Sequence, residues 1–317
     1  MFRTCAVVVL VSIPVSGCAV GTCTDPTDAA LAALPSRLSE TGRFDAGVIE
    51  YAPAFALWSD GAEKHRAIAL PPGTQIDTSD MDDWRFPKGT RLWKDFVRDG
   101  VLVETRFLIH YGDADDAWAS AAYVWNGEDA ELSLEGATNA NGTPHDVPAA
   151  GKCHGCHGGR ASYVLGFSAV QLANADPSNF DLDDAITRGL LSAPPSDAAA
   201  LRVPGTQIER AALGYLHTNC SHCHNQSRPR TAGPRCYDPR QEFDFLLRAA
   251  ELADVSQTAT YRTALIDPDV LIRGKPEQSP LLTRMKARAR SERMPPLATE
   301  NVDEEAVDAI RAWVEGL

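Results

Sequence analysis

The hydrophobic pattern changes character along the chain. Residues 51–135 carry short runs of β-branched and aromatic residues separated by Gly, Pro and Asp turns. Arg66 to Leu70 is one candidate strand, closed by Pro71-Pro72-Gly73. Thr90 to Val97 is another, left through Asp99-Gly100, and Leu102 to Tyr111 and Trp118 to Trp125 follow at similar spacing. Short strands at regular intervals with turn signals predict an antiparallel β-sandwich or barrel. Trp84, Trp93, Trp118 and Trp125 fall in this stretch and read as its core, because large aromatics carry the most apolar area to bury.

Either side of it the pattern is helical or irregular. Residues 18–50 read as a tether with short helices, the first over Ala29 to Leu34 and stopped by Pro35. Residues 135–152 are rich in Gly, Asn and Pro and read as a connection. Val164 to Leu172 and Leu182 to Leu191 predict two short helices. Thr206 to His217 predicts a longer one, with Ile208, Ala212 and Leu216 on one face. Phe243 to Ala253 and Leu281 to Arg290 read as helical, and Arg293-Met294-Pro295-Pro296-Leu297 as extended. Asp303 to Leu317 predicts a terminal amphipathic helix with Val307, Ile310 and Val314 on its apolar face.

The first residues look like a leader. Arg3 is a positive start, and Val7 to Val15 is an apolar run too short to span a bilayer. Val15-Ser16-Gly17-Cys18 then reads as a lipobox, with residues 1–17 removed and Cys18 lipidated; an ordinary signal peptide cut near Gly17 is the alternative. This predicts a membrane-anchored lipoprotein on the periplasmic face of a cell envelope. The net charge of −13, from 30 basic and 43 acidic residues, argues against nucleic acid as a partner.

The cysteines carry the chemistry. There are 8, and four of them stand in two C-x-x-C-H motifs. Cys153-His154-Gly155-Cys156-His157 is the first and Cys220-Ser221-His222-Cys223-His224 the second. One C-x-x-C is shared by zinc sites and redox dithiols. Two copies, each followed directly by His in a secreted chain, point to covalent attachment of two haems c. In that reading Cys153 and Cys156 hold haem 1, Cys220 and Cys223 hold haem 2, and His157 and His224 are the proximal iron ligands. Cys5 leaves with the leader. Cys23 and Cys236 remain, as a disulfide or as two thiols in an oxidising compartment.

Met294 is the candidate distal ligand of haem 2. It lies 70 positions after His224 (294 − 224), in an extended proline-flanked segment. Met285, inside a basic helical run, competes with it, and a core Met is the bland alternative. No Met or His lies between Arg160 and Gly205, so haem 1 takes its sixth ligand from elsewhere or keeps an open position. The candidates are His217, His145, His65, His110, Met81 and Met285, with His217 favoured because it ends the helix beside haem 2. An open position would admit a small-molecule ligand. His154 and His222, inside the motifs, read as non-ligating.

The order of parts from residue 201 on resembles a class I cytochrome c unit: entry helix, motif, long wrap, Met and closing helix. Several blocks together also resemble a bacterial family of secreted two-haem c-type cytochromes of uncharacterised function. These are Leu57-Trp58-Ser59-Asp60-Gly61-Ala62, Trp84-Arg85-Phe86-Pro87-Lys88-Gly89-Thr90, Glu104-Thr105-Arg106-Phe107, Tyr123-Val124-Trp125-Asn126, Leu216-His217-Thr218-Asn219-Cys220 and Arg293-Met294-Pro295-Pro296-Leu297. The resemblance implies haem binding and electron transfer, and no substrate.

The expected architecture is therefore α+β and multidomain. A β-sandwich or barrel-like domain (51–135) precedes two mainly α-helical cytochrome c-type units, 136–200 and 201–317. The expected function is transfer of single electrons to or from a redox partner protein in the cell envelope. The alternative is a peroxidase-like dihaem oxidoreductase, with haem 1 open and haem 2 as relay.

Overall fold

The computed structural model describes residues 28–174, 176–226, 243–289, 292–296 and 299–317. The lipobox with Cys18, and the Cys23–Cys236 pair, lie outside the described residues.

Six strands form one antiparallel sheet in simple sequence order: β1 (Ile49–Tyr51), β2 (Glu63–Ala69), β3 (Arg91–Arg98), β4 (Val101–His110), β5 (Trp118–Asn126) and β6 (Asp129–Ser133). The four strands expected from alternation are the four central ones. The edge strands escape the pattern because they have only three and five residues.

The sheet is neither a sandwich nor a barrel, which corrects the expectation. It remains open, with β1 and β6 as its two edges. The physical reason is how its two faces are covered. On one face Trp93 stacks on Phe107 at 5.6 Å, Phe107 meets Tyr123, and Leu38 closes over them. Residues 35–41 strap this face down, since Trp93 Nε1 donates to Thr41 Oγ1 at 2.8 Å and the Tyr123 hydroxyl to the Pro35 carbonyl at 2.8 Å. On the other face Ile68, Leu92, Leu108 and Trp118 share a core with Tyr163, Phe167, Leu172 and Leu182. With both faces buried by loops and short helices, no second sheet is needed.

The two mainly helical units are not present either. The segment expected to form the first holds helices of only five or six residues: α2 (Cys153–His157), α3 (Ala169–Ala173) and α4 (Leu182–Thr187), after α1 (Asp28–Ala32) near the N-terminus. Such helices expose too few apolar positions to form a core of their own, so α3 and α4 bury theirs in the core shared with the sheet. The helix expected to run on to Leu191 stops early. Gly189 takes a left-handed φ of 67°, and Leu191 instead bridges to Ile76.

Beyond Leu201 two longer helices, α5 (Gln207–Asn219) and α8 (Glu304–Glu315), pack together, with α6 (Ala259–Thr263) and α7 (Pro280–Lys286) as short additions. Leu213, Leu216, Leu282, Ile310, Trp313 and Val314 share their core. The helix expected over Phe243 to Ala253 is absent; that segment has no regular structure up to Arg248 and then only a 3-10 turn, Ala249–Glu251. Two of its amides are spent on the second motif and on the end of α5 rather than on a helix. Phe245 N donates to the His224 carbonyl at 3.0 Å, and Leu247 N to His217 Nδ1 at 3.2 Å.

Candidate functional site

The first motif is the short helix α2. Its His157 donates from Nδ1 to the Tyr163 carbonyl at 2.7 Å. A carbonyl only accepts, so Nδ1 carries the proton and Nε2 keeps its lone pair. Burial pushes the pKa of this ring down to about 4, which leaves it neutral. The carbonyl is aimed by an unusual backbone. Tyr163 has φ 60°, a left-handed conformation that costs a bulky residue on the order of 1–3 kcal/mol. Tyr163 is held there by its buried ring, nearly parallel to Trp118 at 6.2 Å and tilted over His157 at 5.2 Å.

The second motif follows α5. That helix starts with a capping box, in which Thr206 Oγ1 accepts from Glu209 N and Glu209 Oε2 accepts from Thr206 N at 2.7 Å. Cys220 packs against the C-terminal core, and burial pushes its thiol up to about 12. His224 stacks on Phe243 at 4.7 Å and meets the edge of Phe245 at 6.1 Å.

The fold brings the two motifs into contact. The His222 side chain, from the second, lies against Cys156 of the first and its own Cys223, and both thiols favour its protonated form. Asn225 Nδ2 donates to the Gly159 carbonyl at 3.3 Å. Two buried amides fix the docking. Asn219 accepts from Trp58 N at 2.7 Å and donates to the Ala56 carbonyl at 3.3 Å. Gln171 accepts from Phe55 N at 2.9 Å and donates to Thr218 Oγ1 at 2.7 Å. Phe55 itself presses on α5 where Gly214 leaves room, since a Cβ there would sit 2.1 Å from the ring.

Between sheet and motifs lies a cavity of about 450 Å³, within the usual range for ligand sites. Cys153, Cys156, His157, His217, His222 and Cys223 line it, over apolar walls that include Leu92, Leu108, Val164 and Leu247. Cys220, His224 and Met294 do not line it, although Arg293, Pro295 and Pro296 do. No disulfide joins the motif cysteines, and among the described residues no three His, Cys, Asp or Glu side chains gather into a metal site. The two pairs therefore do not form a shared four-thiolate centre.

These residues fit a covalently attached haem. In the first motif two thiols and a neutral imidazole with an available Nε2 face a cavity whose walls combine apolar and basic side chains. Haem 1 would be held by Cys153, Cys156 and His157, and haem 2 by Cys220, Cys223 and His224.

The candidates for the sixth position of haem 1 separate cleanly. His65 is exposed. His110 spends both ring nitrogens on carbonyls, Phe86 and Ala114, each at 2.9 Å. Met285 is buried in the helical core. His145 lines the cavity but gives Nε2 to Glu104 at 2.8 Å. Met81 lines it as well. His217 lines it with Nδ1 accepting from the Leu247 amide, and burial lowers its pKa to about 3. A neutral ring whose Nδ1 accepts carries its proton on Nε2. His217 therefore offers the cavity an N–H rather than a lone pair.

Sequence reasoning missed Tyr163, Gln171 and three cations on the cavity wall, Arg66, Lys94 and Arg106. The cations had a signal. Lys94 shares strand parity with Leu92 and Phe96, and Arg106 with Leu108, so charges stand where the alternation calls for apolar side chains. A scan of family models and searches of curated proteins and of solved structures return no match to this chain.

Proposed function

We propose that the chain is a dihaem c-type cytochrome that passes single electrons to or from a redox partner, anchored by a lipid on Cys18 at the periplasmic face of the cell envelope. One observation carries the reading. Two C-x-x-C-H motifs far apart in sequence abut in space, His222 of one touching Cys156 of the other, beside an apolar cavity. Such contact suits transfer between two centres and has no evident use in two separate dithiols. Bound haem supplies the one-electron iron couple. The protein's residues hold and tune it. Tyr163 fixes the tautomer of His157, His224 is wedged between Phe243 and Phe245, and apolar walls keep water from the site.

The partner of His224 in this proposal is Met294. Its segment is tied to α7 by Met294 N donating to the Arg284 carbonyl at 3.0 Å.

A second reading, an oxidoreductase with haem 1 open, is favoured by the tautomer of His217. An Nε2–H directed at the cavity suits a hydrogen bond to a small ligand better than it suits an iron bond. Spectra of the purified ferric protein test both. One high-spin haem that turns low-spin with cyanide, lost as a peroxide reaction in His217→Leu, supports the open-site reading. Two low-spin haems that stay so on reduction support a pure carrier.

A further inference from the structure

The sheet face under the cavity carries a row of positive charge. Arg66, Lys94 and Arg106 stand directly opposite one another on β2, β3 and β4. All three line the cavity. Like charges directly opposite on neighbouring strands repel, and buried charge without a counter-charge is unfavourable. The row has one carboxylate. Glu104, fully buried, accepts from Arg106 at 2.6 Å and is shared with His145. Arg66 is only 7% exposed and has no acidic partner among the described residues. Lys94 holds its ammonium over the Phe96 ring at 4.9 Å and likewise has none.

Several other charges on the cavity wall are engaged elsewhere. Arg160 bonds the Asp82 carbonyl and lies 3.7 Å from Asp83. The Asp82 carboxylate accepts from Ala249 N at 2.7 Å, and Asp60 from Asn301 N at 2.7 Å. Arg98 pairs with Asp99 at 3.4 Å. The row thus sets three basic side chains against one carboxylate, and burial together with Arg66 and Arg106 disfavours the charged form of Lys94 unless an anion joins it. An anion with two carboxylates, at the depth of the cavity, would balance it.

The attachment cysteines point to which one. Cys153 lies near Ser120 of β5, and both line the cavity; β5 neighbours β4 on the side away from the row. From β5 the row runs outward over β4, β3 and β2, three strand spacings or about 14 Å. We propose that Arg66, Lys94 and Arg106 bind the two propionates of the haem carried by Cys153 and Cys156. This rests on the dihaem reading. It assigns the β-sheet a task in that reading: its floor is the electrostatic cradle of haem 1. The cations also favour the reduced, less positive iron.

The test uses the intact matured protein and the variants Arg66→Gln, Lys94→Gln and Arg66→Lys. Haem content by pyridine haemochrome, midpoint potentials, and the propionate bending bands in resonance Raman are read for each. The proposal expects two haems in every protein. It expects a lower potential for haem 1 and shifted propionate bands in both Gln variants, with Arg66→Lys restoring much of each. It also expects no response of the wild type to added acetate or inorganic phosphate. Unaltered potentials and bands in a dihaem R66Q and K94Q would overturn it. So would a wild type whose spectrum titrates with acetate or phosphate through the row, which would make it a site for an external anion. A wild type without haem overturns the functional reading beneath the proposal, and the haemochrome assay separates that failure from the others.

Discussion

Glu104 is the sole carboxylate among the buried charges on the sheet floor, so its removal is a sharp perturbation. The side chain is fully buried. Its Oε1 accepts from Arg106 Nη2 at 2.6 Å, Arg106 Nε at 3.1 Å and His145 Nε2 at 2.8 Å. Burial alone would raise the carboxyl pKa, but Arg106 and His145 outweigh it and hold the group below the usual range. A folded pKa below the unfolded one means the stabilisation is present above the unfolded value and is lost as pH falls through the folded one. Glu104→Gln keeps the shape and removes the charge, leaving the Arg106 guanidinium without its carboxylate partner. Breaking a buried pair in this way costs about 3–5 kcal/mol. Arg106 keeps 26% of its side chain open to the cavity, which favours the lower end of that range. At about 2–4 °C per kcal/mol for a protein somewhat smaller than this, Tm should fall by roughly 6–12 °C. Circular dichroism melts at pH 7 measure it. E104Q/R106Q should recover much of the loss, because it removes both ends of the pair. A single variant within about 2 °C of wild type, or a double variant worse than the single one, would refute the reasoning.

Other consequences are simpler to check. Gly214→Ala places a Cβ against the Phe55 ring and should cost about 1–3 kcal/mol in urea unfolding. Asn219→Ala strands the Trp58 amide and the Ala56 carbonyl; a loss of about 1–3 kcal/mol is expected in the same assay, with haem 2 spectra disturbed. His217 stays neutral down to about pH 3, mainly through burial. Below the ordinary His pKa near 6.5 the unfolded ring takes up a proton that the native ring refuses, so stability falls with pH across this window. His217→Gln should flatten that slope by up to one proton, about 1.4 kcal/mol per pH unit, in pH-resolved melts. Met294→Ala should abolish the Met–iron charge-transfer band of ferric haem 2, and survival of the band would remove Met294 from the ligand set.

The residues that carry strong local signals were legible. Alternation located β2 to β5, and the helical spacing of Ile208, Ala212 and Leu216 located α5. The spacing of the two motifs marked the residues that the fold gathers beside the cavity, apart from Cys220 and His224. What the sequence hid is long-range. Phe243 to Arg248 has helical composition, yet two of its amides are claimed by His224 and His217, partners that no local window contains. Tyr163 reads as an ordinary core aromatic, and its left-handed backbone has no signature in residue type. The sandwich expectation failed for a related reason. Strand periodicity says that a face is buried, and it does not say by what. Here Leu38 covers one face and Phe167 with Leu172 the other. The cation row shows the opposite case, where a charge in an apolar register was readable and pointed to the site.

The central claim is that both motifs carry haem. The direct measurement is the intact mass of the protein, matured in a host with c-type cytochrome assembly, together with its pyridine haemochrome. The account predicts a mass increment of two haems, with both thiols of Cys153/Cys156 and of Cys220/Cys223 consumed in the tryptic peptides. Unmodified thiols at either pair, or zinc in place of haem, would contradict it.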